Sequence, residues 1–353
     1  MGRLISYNRR EIASKRFRFL FYEIAPIFLM IFIFLILEWI LLPLIVNQTS
    51  ELFGMLFYLI RALAIFLVII LFLFISNKMK TTNSQPAKKE IALHIGYLKL
   101  YKMTKKNYLY QLLYSCLLFF LILIPIEFLF TFFLPETIPY RAVSLILRRE
   151  NSYLLITDIS VFLIFTIIIQ LSLSFTEETI FRGLITKRGS EYFNKMSAVM
   201  ISTFSFTFME FFLNPIILTI SYYFGVIWFI KSFVIGLVLS LTIVRRKWLI
   251  PLIIAKTIDS IITSLIIWDF LRGGNFTQLL SFIYIPLLII SLLLVILQGS
   301  RIKESVQIGI KMIKSYSRKD ITVDETSGDK VFRILFDVFL AFLLFLFGIL
   351  ISV

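Results

Sequence analysis

An all-α, polytopic bundle of transmembrane helices is the fold this sequence predicts, and three observations predict it. Several apolar runs exceed 18 residues, the length a helix needs to cross about 30 Å of hydrocarbon. The chain is 59% hydrophobic, carries 39 phenylalanines and has a mean hydropathy of +0.93. A water-soluble domain of that composition would expose large apolar patches. The charges, finally, gather in the links between the apolar runs, where positive charge orients a membrane protein.

The spans follow in order. Residues 1–18 carry six basic side chains against Glu11 alone, which predicts a cytoplasmic N-terminus. The apolar run after them is far longer than a signal-peptide core, so it reads as a retained first span, 19–46. A second span, 52–75, holds Arg61 inside it, with Glu23 or Glu38 as candidate partners. The link 77–107 has eight lysines and one glutamate. Ile91, Ile95, Leu98 and Tyr101 recur there at helical spacing among lysines, the pattern of a helix lying on an anionic membrane surface. His94, the only histidine, falls in this helix and reads as an interfacial side chain.

Further spans are expected at 108–134, 153–175, 196–213, 216–244, 248–268, 279–297 and 332–353, about nine in all. The link 135–152 reads as an external loop, Asn214-Pro215 and Gly273-Gly274-Asn275 as turns. Ile302, Val306, Ile310 and Ile313 suggest a second interfacial helix within 299–330. This topology puts 29 of the 36 basic residues on cytoplasmic segments and four outside. The net charge of +15 is thereby explained by the bilayer, and nucleic acid is excluded as a partner. The organisation expected is a basic N-terminus at 1–18, membrane spans with a Lys-rich loop over 19–152, a polar core at 153–270 and C-terminal spans over 271–353.

Chemistry concentrates in that core. Thr176-Glu177-Glu178-Thr-Ile-Phe-Arg182 closes the fourth span. Glu210 lies in the fifth, Lys231 in the sixth, and Lys256 and Asp259 in the seventh. Charges in hydrocarbon pair with one another or line a polar cavity, and by default they mark function. The plainer alternatives are an i,i+4 pair at a helix end, worth a few tenths of a kcal/mol, or a structural ion network between helices.

The order of these residues resembles the CPBP family, the CAAX-prenyl proteases and the bacteriocin-processing or immunity proteins of the Abi group. Members share E-E-x-x-x-R, then F-x-x-x-H on the next helix, then H-x-x-x-N (or D) on a later one. Here Glu177-Glu178-x-x-x-Arg182 is followed by Phe206-x-x-x-Glu210, and then by Trp248-Leu-Ile-Pro251-Leu-Ile-Ile-Ala255-Lys256-Thr-Ile-Asp259-Ser260. The resemblance spans roughly 155–270. It implies an intramembrane endopeptidase in which Glu177 activates the attacking water, with Glu178 and Arg182 matching beside it. Both histidine positions depart from the family, being Glu210 and Lys256, and the Asn position is Ser260 with Asp259 one residue early.

Those departures have physical consequences. Zinc favours imidazole or thiolate ligands, and with Cys116 and His94 the sole candidates in the chain no zinc or other cofactor is expected. A carboxylate trio could suit Mg²⁺ or Ca²⁺, but the Lys256 ammonium would repel either. Lys256 is therefore expected to take the cation's place, pairing with Glu210 and also with Glu177. A glutamate so clamped is held ionised and is a weaker base. The sequence thus predicts a degenerate, low-activity or inactive CPBP-like protein that binds hydrophobic or prenylated peptides, or a membrane protein partner. Two alternatives remain open: an active endopeptidase with Glu177 as base, and a transporter with a buried charge path. No internal repeat supports the transporter.

Overall fold

The computed structural model describes residues 2–48, 50–83, 93–146, 148–212, 222–318 and 325–352. These are helical almost throughout, with no strand among them. The main helices are α1 (Gly2–Phe19), α2 (Ala25–Ile45), α3 (Glu51–Asn83), α4 (Leu93–Leu98), α5 (Tyr108–Leu118), α6 (Ile124–Phe133), α7 (Thr137–Ile146) and α8 (Ile159–Glu178). After them come α9 (Gly189–Tyr192), α10 (Lys195–Phe212), α11 (Tyr222–Arg246), α12 (Ile250–Leu271), α13 (Phe276–Ser317) and α14 (Ser327–Ser352). Eight helical stretches among the described residues are long and apolar enough to span a bilayer. The chain is an integral membrane protein.

The helices group into two compact units, 1–29 with 180–247 and 295–353, and 30–179 with 248–294. In the first, α10 packs against both α11 and α14. Its Phe208 ring meets Phe229, Phe342 and Phe345 at centroid distances of 6.1–6.2 Å, a range in which aromatic pairs are attractive beyond their burial. The helix α10, expected as the fifth span, is not among the eight. Ser202, Thr203, Ser205 and Thr207 lie on it fully buried and lower its hydropathy. Thr203 and Thr207 return their hydroxyls to the carbonyls one turn back, each at 2.8 Å, so the helix satisfies itself without needing an apolar surface.

The basic N-terminus forms α1, a helix from Gly2 onward. Arg16 is buried there. It donates to Asp337 at 2.6 Å and to Ser197 Oγ at 3.1 Å, while Tyr316 hydrogen-bonds the same aspartate at 2.9 Å. Glu23, offered as a partner for Arg61, instead takes Arg188 and accepts from the Tyr192 hydroxyl at 2.6 Å. Such shared, hydrogen-bonded carboxylates offset the desolvation of both partners.

The second unit is organised around α12, which packs against α5, α7 and α8. Glu38 is the acid that faces Arg61, 3.8 Å away, and the guanidinium also lies 4.1 Å above the Phe57 ring. The segment expected as an external loop, 135–152, is largely folded into this unit. It forms α7 and a tight 3-10 stretch, Arg149–Leu155. Ala142, Tyr153 and Leu154 join Phe53, Phe57, Phe162 and Ile267 in the core. The polar sequence read as solvated because its charges are balanced, but Ile138 and Ala142 turn inward, while Val143 and Ile146 stay exposed.

Two further expectations change. In α4 and the following turn the buried residues are Tyr97 and Leu100, whereas Ile95 and Leu98 are exposed. The helix docks by the face next to the one expected, and Ile91 lies outside the described residues. The second interfacial helix is the end of α13, which runs unbroken to Ser317 with Val306, Ile310 and Ile313 exposed. The turn at Gly273 is as expected, with φ +78°, a conformation that favours glycine. Asn214-Pro215 lies outside the described residues.

Candidate functional site

Helix α8 starts on a firm cap. The Asp158 carboxylate accepts from the amides of Ser160 at 2.8 Å and Val161 at 2.9 Å, satisfying donors that the first turn would otherwise leave open. Twenty residues of helix then carry the chain to Glu177 and Glu178. Past Glu178 the helix widens into a π-turn, Thr179–Arg188, a geometry found frequently at functional sites. Glu178 is fully buried and Glu177 is one-fifth exposed.

Across from them stands α12, started by Pro251 in its first turn, where a missing N–H is harmless. Lys256, one turn further on, makes a direct ion pair and hydrogen bond to Glu177. The same ammonium lies 3.9 Å from Glu178. Asp259 is three residues beyond Lys256, buried, and on the same side of α12. Ser260, at the family's Asn position, is half-buried. One cation thus faces two carboxylates where the family pattern calls for imidazole.

The segment 97–101 holds the two helices in register. The Tyr97 hydroxyl donates to the Thr179 carbonyl at 3.0 Å, and the Tyr101 hydroxyl bonds Thr179 Oγ1 at 2.8 Å. The amide of Leu249, just before α12, donates to the Leu100 carbonyl at 2.9 Å. One short segment therefore ties the end of α8 to the start of α12. Burial raises the Tyr101 hydroxyl to about 12 and pushes Tyr97 up as well, so both stay protonated, as this bonding needs. Sequence reasoning missed these residues. The signal available was a pair of tyrosines four apart, beside the apolar stripe that drew the eye.

Further along the same interface, Gln170 donates to Tyr153 OH and Ser264 Oγ, each at 3.0 Å. Trp268 stacks on Phe162 at 5.0 Å and donates to the Ile156 carbonyl at 2.8 Å. Polar groups on the facing sides of α8 and α12 therefore bond each other, which fixes the two carboxylates and the lysine on rigid elements.

Arg182, Glu210 and Lys231 belong to the other unit. Arg182 is fully buried, with its guanidinium 4.5 Å above the Phe206 ring. The motif's arginine and the motif's phenylalanine are thus in contact, as a cation–π pair. Ser202 Oγ, on the same helix as Phe206, bonds the Phe181 carbonyl at 2.7 Å and anchors the turn that carries Arg182. Glu210 lies one turn past Phe206 and is half-buried. Lys231 sits 4.8 Å from the Trp228 ring.

Glu177 is engaged by the Lys256 ammonium, and the chain's one histidine and one cysteine, His94 and Cys116, are on neither α8 nor α12. Among the described residues no cluster of three His, Cys, Asp or Glu side chains could hold an ion.

Residues 159–262 match the family model for Type II CAAX prenyl endopeptidase, Rce1-like. The match begins at the first residue of α8 and ends within α12, so it takes in both glutamates, Arg182, Phe206, Glu210, Lys256, Asp259 and Ser260. No curated protein and no solved structure matches the chain. The segment that carries the Glu177–Lys256 pair is therefore similar to the CPBP family, on its Rce1-like, CAAX prenyl endopeptidase side.

Proposed function

We propose that this CPBP-type membrane protein binds hydrophobic or prenylated peptides without cleaving them. The observation that carries the reading is the ion pair between Lys256 and Glu177. A general base must offer a lone pair to a positioned water, and here the ammonium binds Oε2 of that carboxylate and lowers its basicity. Hydrolysis also needs a donor aimed at the developing oxyanion, a contribution often worth several kcal/mol. The ammonium's nearest charge is the carboxylate it neutralises, and neither histidine position supplies a replacement. Binding is less demanding than catalysis, since it needs an apolar cleft and a few polar anchors rather than a matched acid and base. The basic asymmetry of the links supports a cytoplasmic N-terminus and, with it, a cytoplasmic side for Glu177. No metal or other cofactor enters this reading.

The test is retention of an intact ligand. Protein reconstituted in nanodiscs, incubated with a photoreactive farnesylated peptide and its unprenylated twin, should crosslink the farnesylated form at least tenfold more. The captured peptide should have unchanged mass. Equal labelling by the two peptides would remove the binding function from this reading.

A further inference from the structure

At the end of α8 opposite Glu177, a separate cleft of ≈ 860 Å³ opens between the end of α2 on one side and Ile146, Arg148, Ser152 and Leu155 on the other. That volume is typical of small-molecule sites. Leu155 on its wall lies four residues before α8 begins at Ile159, and Glu177 is 18 helical rises beyond Ile159, so the two regions stand about 27 Å apart along the helix.

The lining divides into two halves. One half is apolar and faces outward, with Leu44 78%, Ile45 79% and Leu155 59% exposed. The other is polar, formed by Arg148, Asn47, Gln48 and Ser152. Ser152 Oγ is fully buried and has no hydrogen-bond partner among the described residues, which in a folded protein normally signals a water or ligand group that completes it. Trp39, 71% exposed one turn before Pro43, marks the depth as that of the membrane–water interface.

The wall is preformed. The Tyr58 hydroxyl donates to Asn151 Oδ1 at 3.0 Å, and Asn151 Nδ2 donates to the Leu145 carbonyl at 3.1 Å. Gly54 lets the Glu150 carbonyl rest directly on α3, because a Cβ there would lie 2.1 Å from that oxygen. The segment bearing Arg148 and Ser152 is therefore held rigidly over α3, and the cleft does not depend on a mobile loop.

We propose that this cleft binds one anionic phospholipid. Arg148 takes the phosphate through its planar fork of donors, a geometry matched to phosphate oxygens. Ser152 and the two amide side chains meet the headgroup, and an acyl chain lies along Leu44, Ile45 and Leu155. A soluble anion would use the polar half alone, whereas a phospholipid at this depth uses both.

The experiment uses the full chain in neutral detergent, with native mass spectrometry reading bound dioleoyl phosphatidylglycerol. One lipid should be retained per chain. Arg148→Gln should weaken retention about tenfold and Ser152→Ala about threefold, while Arg148→Lys keeps most of it. Dioleoylglycerol, which lacks phosphate, and inorganic phosphate, which lacks chains, should each fail to displace the lipid. Equal binding by Arg148→Gln, or displacement by either competitor, would overturn the proposal. Should Arg148→Gln fail to fold, Leu44→Trp with Leu155→Trp fills the apolar half from exposed positions. Unchanged retention in that variant would overturn it equally.

Discussion

Replacing Lys256 with methionine should destabilise the protein by about 3 kcal/mol, read from reversible unfolding in mixed micelles. Removing one partner from a buried ion pair leaves the other charge without compensation, which typically costs about 3–5 kcal/mol. Partial exposure of Glu177 and Lys256, at 21% and 15%, places the expectation at the low end. Glu178 makes the loss larger than for a simple pair, since it is fully buried and shares the same ammonium at 3.9 Å. Lys256→Met combined with Glu177→Gln should recover only part of the loss, because position 177 no longer carries a charge while Glu178 still lacks the ammonium. A neutral Lys256→Met would mean that the pair is as idle as an exposed one, worth no more than about 1 kcal/mol.

The second large effect is a gain. Lys256→His together with Glu210→His restores both family histidine positions and releases Glu177 from the ammonium. The double variant should cleave a farnesylated CAAX peptide that the parent leaves intact, with new peptide termini detected by mass spectrometry. Adding Glu177→Gln to the double variant should abolish the cleavage. Each single variant should stay inert. Lys256→His lacks the first histidine, and Glu210→His keeps the lysine on the base. A double variant that folds, binds the peptide and shows no cleavage would argue that the family chemistry was not what these positions lost.

How much of this was legible in the chain depends on how far apart the residues are. Glu177, Glu178 and Arg182 sit within one turn and a half, so their motif and the family could be read directly, and the match over 159–262 agrees. That Lys256 would serve as the local cation was also readable, because few other charges lie in the spans. Which acid it chooses was less so. Glu210 and Glu177 are both acidic and both intramembrane by sequence, and only packing brings α12 to the end of α8. The Arg182–Phe206 contact was likewise hidden, although both residues stand in the motif, because spacing does not tell a ring that packs from one that faces lipid.

The misreadings have a common cause. Hydropathy reports how a residue partitions between water and lipid, and it does not report which neighbour it meets. Arg16 looked topogenic yet is buried against Asp337. The 135–152 region looked like a loop yet contributes Ala142 to the core. Helix α10 carries buried hydroxyl groups that its neighbours α11 and α14 shield, which its hydropathy does not report. In 97–101 both faces could bury apolar area, and the tyrosine face won because its hydroxyls also satisfy the turn at Thr179.

The measurement that bears most directly on the central claim is proteolysis by the unaltered protein. Purified full-length chain in liposomes is incubated with a farnesylated CAAX peptide, and released tripeptide is counted over many hours beside Glu177→Gln. The ion-paired site predicts no release above that variant. Tripeptide released by the natural sequence and lost in Glu177→Gln would contradict it, and would make Glu177 a working base despite Lys256.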